Sequence, residues 1–251
     1  MQKKIKKIEK FLLKESKKRG FDSVVFGLSG GIDSAVVGYF CNKIFKERAR
    51  AFIMPSIFSN PKNTNDAINF AKSIGLYYEV IDIGKFQDDF ICVSHLKEDS
   101  KDFHRIGNFM ARIRMAILYD KSHLYNALVV GTSNKSELML GYGTLYGDMA
   151  CAINPIGNIY KSEIFELAKR VGIPKYIINK KPSADLFVGQ SDEDDLGYSY
   201  ETIDKLLVQI DSGLNKKQLF NKGFEREFIE SIQTRIKNNR FKSKIPKIAK
   251  V

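Results

Sequence analysis

What this chain of 251 residues lacks narrows the possibilities first. Tryptophan is absent, and the only three cysteines, Cys41, Cys92 and Cys151, are far apart with no Cys-x-x-Cys pair. That set offers neither a disulfide framework nor a cysteine zinc site, and it points to a reducing, cytoplasmic compartment. The three histidines, His95, His104 and His123, make no His-Glu-x-x-His motif. No apolar run approaches the roughly 20 residues of a membrane helix. The lysine-rich start leads into an amphipathic pattern, not the apolar block of a signal peptide. Membrane and secreted classes are therefore set aside.

What is present is ordinary for a globular chain: 43% apolar and 28% charged residues, enough to build a sizeable core. The net charge of +12 suggests nucleic acid until it is mapped. Residues 1–19 and 235–251 each carry +7, which leaves −2 for the body between them. Two basic termini on a near-neutral body need only be solvated faces, so nucleic acid is not an expected partner.

Ile5, Ile8, Phe11, Leu12 and Leu13 recur between lysines, predicting an amphipathic helix over 3–19 that Gly20 stops. Residues 22–28 (DSVVFGL), 51–54 (AFIM), 76–83 (LYYEVIDI) and 127–130 (ALVV) are compact runs that predict buried strands. Helical periods occupy 34–45, 63–74 and 108–121. This alternation predicts an α/β fold, an open parallel sheet flanked by helices. From residue 161 the pattern is mostly helical (162–171, 198–210 and 224–237), predicting a helical C-terminal portion. Residues 55–62 and 180–197 read as loops, and a loop as long as the second is more often functional than idle.

The first strand runs into Ser29-Gly30-Gly31-Ile32-Asp33-Ser34 and then a helix. Adjacent glycines let backbone N–H groups approach an anion closely, and the helix start adds unpaired donors. The position beyond the carboxyl end of a strand is where open α/β sheets bind ligands. Asp33 is out of place beside a phosphate unless a cation such as Mg2+ lies between them. The competing reading is an ordinary helix N-cap by Ser29 or Asp33. No lysine follows the glycines, so this is not a Walker loop. The later Gly141–Gly147 stretch (GYGTLYG) is a poor dinucleotide fingerprint.

SGGxDS after a first strand resembles the ATP pyrophosphatase superfamily. Further along come NFMARIRM (108–115), GTSNKSE (131–137), Gly147-Asp148, NPIG (154–157) with Lys161, KPSADL (181–186) and QSDEDDLG (190–197). In that order, these segments resemble the NAD synthetase family over essentially the whole chain. The resemblance implies an adenine nucleotide alpha hydrolase-like, Rossmann-like core over about 20–180 and a helical part over about 181–251, forming one domain. It implies ATP- and Mg2+-dependent amidation of deamido-NAD by ammonia, giving NAD, AMP and pyrophosphate through an adenylated intermediate.

By the same resemblance, Gly27, Leu28, Ser29, Gly30, Gly31, Ile32, Asp33 and Ser34 cradle ATP, with Thr132, Lys161 and Ser183. Asp33 and Glu137 hold Mg2+, and Asp33 and Lys161 carry the catalytic role. Arg112 binds the dinucleotide, with Arg114 the alternative on the same segment. Asp148 serves the substrate or the metals, and Lys242 the substrate. Relatives with a His-Lys pair near the C-terminus differ from Phe241-Lys242 here, and Leu145 and Ala152 replace polar substrate groups. A homodimer is implied, with loops 55–62 and 180–197 as lids. Ammonia is expected as the free species or from a separate protein. The alternative within the superfamily is an ATP-dependent tRNA-modifying enzyme, and outside it a non-enzymatic nucleotide-binding module.

Overall fold

The computed structural model describes residues 1–97, 100–183, 185 and 189–249, without the side chains at 100 and 101. Four strands, β1 (Ser23–Gly27), β2 (Ala49–Ile53), β3 (Tyr77–Val80) and β4 (Ala127–Val129), form a parallel sheet in the order β3-β2-β1-β4. Val24 faces Ala49 across β1–β2, Ser23 faces Ala127 across β1–β4, and Arg50 faces Tyr77 across β2–β3. Both faces are covered, which is why β1 reads as an unbroken apolar run. Val24 and Phe26 enter one core and Val25 the other, as a period of two requires.

On the Val24 side lie α1 (Gln2–Lys18), α2 (Ile32–Phe45), α3 (Pro61–Ser73), α7 (Lys161–Val171) and α8 (Lys175–Ile178). Ile5, Ile8 and Leu12 of α1 are buried there while its lysines face water. On the Val25 side lie α4 (Gly84–Val93) and α5 (Ser100–Leu124), whose Ile106, Met110, Met115 and Leu118 pack on Phe52 and Val129. A third cluster joins α6 (Lys135–Leu140) to α9 (Asp192–Leu196), α10 (Tyr200–Asp211), α11 (Lys216–Asn221) and α12 (Arg226–Asn239). Among the described residues no helix is long and apolar enough to cross a membrane.

The parallel sheet with helices on both faces agrees with the sequence reading, and the boundaries differ in instructive ways. The third strand ends at Val80, not residue 83: Ile83 N–H still follows the register to Pro55 O, but Pro55 has no N–H to return, and Asp82 accepts from Gly84 N–H at the start of α4. Helix α5 begins at Ser100, well before 108, because Gly107 is a buried residue inside the helix and not its stop. Five helices, α4, α6, α8, α9 and α11, are not expected from periodicity. The segment 180–197 contains α9, and Asp192 N–H returns to Pro182 O at 3.0 Å. Residues 184 and 186–188 of that expected lid, and 250–251 of the basic tail, lie outside the described residues.

Candidate active site

Strands β1, β2 and β4 end on one rim, where a cleft of about 1190 Å³ opens. At its centre is the turn after β1. Leu28 N–H still bonds Phe52 O at 2.9 Å, so the turn starts from a fixed point of the sheet. Gly30 then takes φ +79°, and a Cβ there would lie 2.2 Å from Asn63 O, so both conformation and space require glycine. Gly31 is the N-cap of α2, and no side chain caps this helix. The N-cap reading of Ser29 or Asp33 therefore fails, and the first-turn N–H groups of α2 remain free for a ligand. Ser29 Oγ and Ser34 Oγ lie 3.1 Å apart, and Ser34 Oγ donates to Gly31 O at 3.0 Å. The hydroxyls thus brace the turn from within.

Beside the turn, three charges from three helices converge. Lys161, the first residue of α7, pairs with Asp33 of α2 and lies 3.4 Å from Glu137 of α6. Their side chains are only 4%, 15% and 17% exposed. Asn134 organises the group. Its amide donates to Asp33 Oδ1 at 3.0 Å, its Oδ1 accepts from Glu137 N–H, and its N–H donates to Glu137 Oε2 at 3.1 Å. The last two bonds are a reciprocal capping box that starts α6. Lys161 N–H bonds Ser136 Oγ at 2.9 Å, and its ammonium sits 5.3 Å from the centre of the Tyr200 ring.

Burial and the nearby Asp33 push the Glu137 carboxyl up to about 8, against the pull of Lys161. Burial opposes the charge on Lys161, but Asp33 and Glu137 outweigh it and hold the ammonium's pKa above its ordinary value. The carboxylates thus supply more negative charge than one ammonium comfortably neutralises. Two carboxylates with space before them match what Mg2+ takes from a protein when phosphates and waters complete its shell. Among the described residues, no group of three or more His, Cys, Asp or Glu side chains gathers as an all-protein metal cage.

The remaining expected residues fall in different places. Gly27, Leu28, Ser29, Gly31, Ile32, Asp33, Ser34, Thr132, Glu137, Asp148, Lys161, Ser183 and Lys242 all line the cleft. Gly30 does not, because its carbonyl is turned to Lys180. Asp148 keeps solvent access on the cleft wall; desolvation by the surrounding walls raises its carboxyl, while the Thr144 N–H at 2.7 Å pulls it down. Lys242 donates to Gly141 O at 2.9 Å and Gly143 O at 3.1 Å. Ser183 Oγ donates to Gln190 O at 2.7 Å. Arg112 is exposed and outside the cleft lining, with its Nε on Leu145 O at 3.2 Å. It is Arg114, two residues on, that lines the cleft and reaches Met54 O at 3.0 Å and Ser56 and Ser59 Oγ at 3.4 Å. Gly141 is the left-handed C-cap of α6, which explains that glycine without a nucleotide.

Sequence reasoning missed two cleft-side groups. The signal for Asn134 was present as Asn-x-x-Glu immediately after a strand. Asp192 carried less signal, as one of four adjacent acids in the QSDEDDLG segment. It is in fact buried, accepts from Tyr142 at 3.1 Å and Tyr200 at 3.2 Å, and faces the cleft.

The parallel sheet, the uncapped glycine turn and the charge cluster at its mouth define a nucleotide-binding α/β enzyme of the PP-loop type. The NAD synthase family model matches residues 4–246, and the chain belongs to that family of ligase-type synthetases. An NH(3)-dependent NAD(+) synthetase of Helicobacter pylori is 53% identical over 245 residues, covering 96% of this chain and 93% of that relative. Among solved structures, the NH3-dependent NAD synthetase of Campylobacter jejuni in complex with nitrate ion has a TM-score of 0.83 at 40% identity. The superposition covers 99% of this chain and 98% of that one. The NMN synthetase of Francisella tularensis has a TM-score of 0.87 at 30% identity, covering 100% and 98%.

Proposed function

We propose that the chain amidates deamido-NAD with ammonia in the cytoplasm, consuming ATP and releasing NAD, AMP and pyrophosphate. The observation that carries this reading is the Asp33–Lys161–Glu137 cluster at the mouth of an uncapped phosphate turn, in a chain of the NAD synthase family. The nicotinate carboxylate attacks the α-phosphorus of ATP, pyrophosphate leaves, and ammonia displaces AMP from the acyl-adenylate. No residue need become a covalent nucleophile.

The first-turn N–H groups of α2 hold phosphate oxygens, and the hydroxyls of Ser29 and Ser34 swing from bracing the turn to the phosphates when ATP binds, with Thr132 and Ser183 as further ATP contacts. Asp33 and Glu137 hold Mg2+, which when bound neutralises phosphate charge and stabilises the leaving group. Lys161 supplies fixed positive charge beside the same phosphates, preorganised by Asn134 and Tyr200. Asp148 and Lys242 face the substrate from the far wall. Arg112, outside the cleft, meets the dinucleotide from the open side, which fits a homodimer in which substrate spans two copies.

The test is incubation with Mg-ATP, ammonium and deamido-NAD, with NAD, AMP and pyrophosphate expected in equal amounts. Light scattering would give twice the chain mass. Turnover with glutamine alone, or tRNA binding without NAD formation, would overturn the reading. The likeness to an NMN synthetase favours one second reading, the deamido mononucleotide as substrate, which the same assay separates by comparing kcat/KM for the two. The 53% identity to an NH(3)-dependent NAD(+) synthetase, against 30% to the NMN synthetase, supports the dinucleotide as the first reading.

A further inference from the structure

A second lysine serves the phosphate turn from its Asn63 side. Lys180 Nζ donates to Gly30 O at 2.9 Å and to Asn63 Oδ1 at 2.8 Å, and pairs with Asp66 at 2.5 Å. An ammonium has three N–H donors; here two are taken by Gly30 O and Asn63 Oδ1, and the carboxylate of Asp66 answers the charge. Lys180 thus spends most of its donors and its charge on the protein itself.

The geometry assigns Lys180 as a positioning residue for ATP, fixing the orientation of the Gly30–Gly31 peptide. That peptide is planar and trans, so its carbonyl and N–H point in opposite directions. With the carbonyl pinned to the Lys180 ammonium, the N–H of Gly31 is aimed at the Ser29 hydroxyl, which it reaches at 3.3 Å, on the cleft side. Without the pin, the freedom of Gly30, at φ +79°, and of Gly31 lets the peptide turn its carbonyl toward the phosphates. A carbonyl there would repel the anion that the N–H attracts. The same lysine joins the turn to α3 through Asn63, whose amide donates to Asp185 at 3.0 Å, so Asp185 is registered against the turn as well.

This assignment rests on the ATP-dependent reading above and is tested separately from it. Titration of the folded protein with Mg2+ and α,β-methylene-ATP reads nucleotide affinity without chemistry. Lys180→Met is expected to weaken that affinity at least tenfold and to raise KM for ATP in step, with KM for deamido-NAD within twofold of wild type. Lys180→Gln keeps an N–H donor near Gly30 without the charge and is expected to recover part of the loss. Wild-type affinity in Lys180→Met overturns the assignment. So does an equal rise in both KM values, which marks general loosening, or a Gln variant as poor as Met, which marks a charge acting on phosphate. If Lys180→Met does not fold, Lys180→Gln decides alone: an ATP-selective loss supports the assignment, and wild-type affinity overturns it. A wild-type protein that forms no NAD would sink the amidation reading while leaving the titration able to judge Lys180.

Discussion

The two sides of the phosphate turn handle buried charge in opposite ways. In front, Lys161 faces Asp33 and Glu137 with a deficit of positive charge, and Glu137 is held up near 8. On the Asn63 side, the rear, Lys180 gives two donors to a carbonyl and an amide oxygen and has its charge answered by Asp66. Buried charge is costly unless paired and hydrogen-bonded, so the rear cluster is built for rigidity and the front cluster for an incoming cation and its phosphates. The comparison breaks if altering the front leaves chemistry intact, or if altering the rear changes only chemistry.

The largest effect is expected at Asp33. Asp33→Ala removes the carboxylate shared by Lys161 and Asn134, and NAD formation at saturating reagents is expected to fall at least about a thousandfold. Stability changes little, since Glu137 remains to face Lys161 and one carboxylate–carboxylate repulsion is relieved. Steady-state assays beside thermal melts check both halves. Substantial residual activity would remove the front cluster from the mechanism.

Lys161→Met comes next and moves stability as well as rate. It leaves two nearly buried carboxylates without their cation, a defect expected to cost about 3 kcal/mol, at the lower end for broken buried pairs. Because those carboxylates are proposed to hold Mg2+, added MgCl2 should restore more stability to the variant than to wild type. Urea unfolding with and without magnesium measures this. Equal responses would argue against a metal at Asp33 and Glu137.

The contrast between front and rear also marks how far the sequence could be read. Strands β1, β2 and β4 were legible because burial on both faces leaves continuous apolar runs. The glycine turn was legible because local chemistry dictates it. Helices α6 and α11 are six residues each, too short for a period to register; only their caps, Asn134-x-x-Glu137 and Asn215-x-x-Gln218, announced them. Helix α5 runs eight residues further toward the N-terminus than the period at 108–121 indicates, through Gly107, because a helix interior packed against a core tolerates a glycine that propensity would reject. Asp33 and Lys161 stood out through a motif. Lys180 and Asn63 did not, because their roles depend on three segments distant in sequence meeting at one carbonyl. Arg112 and Arg114 are two residues apart on one helix and so point in different directions, which spacing alone could not assign to the cleft or to solvent.

A smaller effect separates geometry from charge at the rear. Gly30→Ala must accommodate a Cβ 2.2 Å from Asn63 O at φ +79°, whereas Gly172→Ala, at φ +83°, meets nothing within 4 Å. Gly172→Ala is expected to cost about 1 kcal/mol of left-handed backbone strain and leave KM for ATP unchanged. Gly30→Ala should cost more, about 2–3 kcal/mol, and raise KM for ATP, since the turn itself must shift. Denaturant midpoints and ATP kinetics on the pair test this. Matching behaviour would mean that the close approach of Asn63 to the turn has no functional weight.

The smallest effects are expected at the two arginines, and they sharpen the comparison by direction, not size. Arg114 bonds Met54 O and two serine hydroxyls, tethering the loop after β2 to α5 where the cleft opens. Arg114→Gln should therefore raise KM for ATP by roughly three- to tenfold, the worth of one or two ordinary hydrogen bonds. Arg112 touches only Leu145 O from the exposed face, so Arg112→Gln should leave KM for ATP unchanged and raise KM for deamido-NAD alone. If dinucleotide reaches Arg112 from a second copy, that rise disappears in a covalently linked pair whose intact site faces a wild-type partner. Arg112→Gln raising KM for ATP instead would place this residue inside the nucleotide site and require α5 to rotate from the position it holds here.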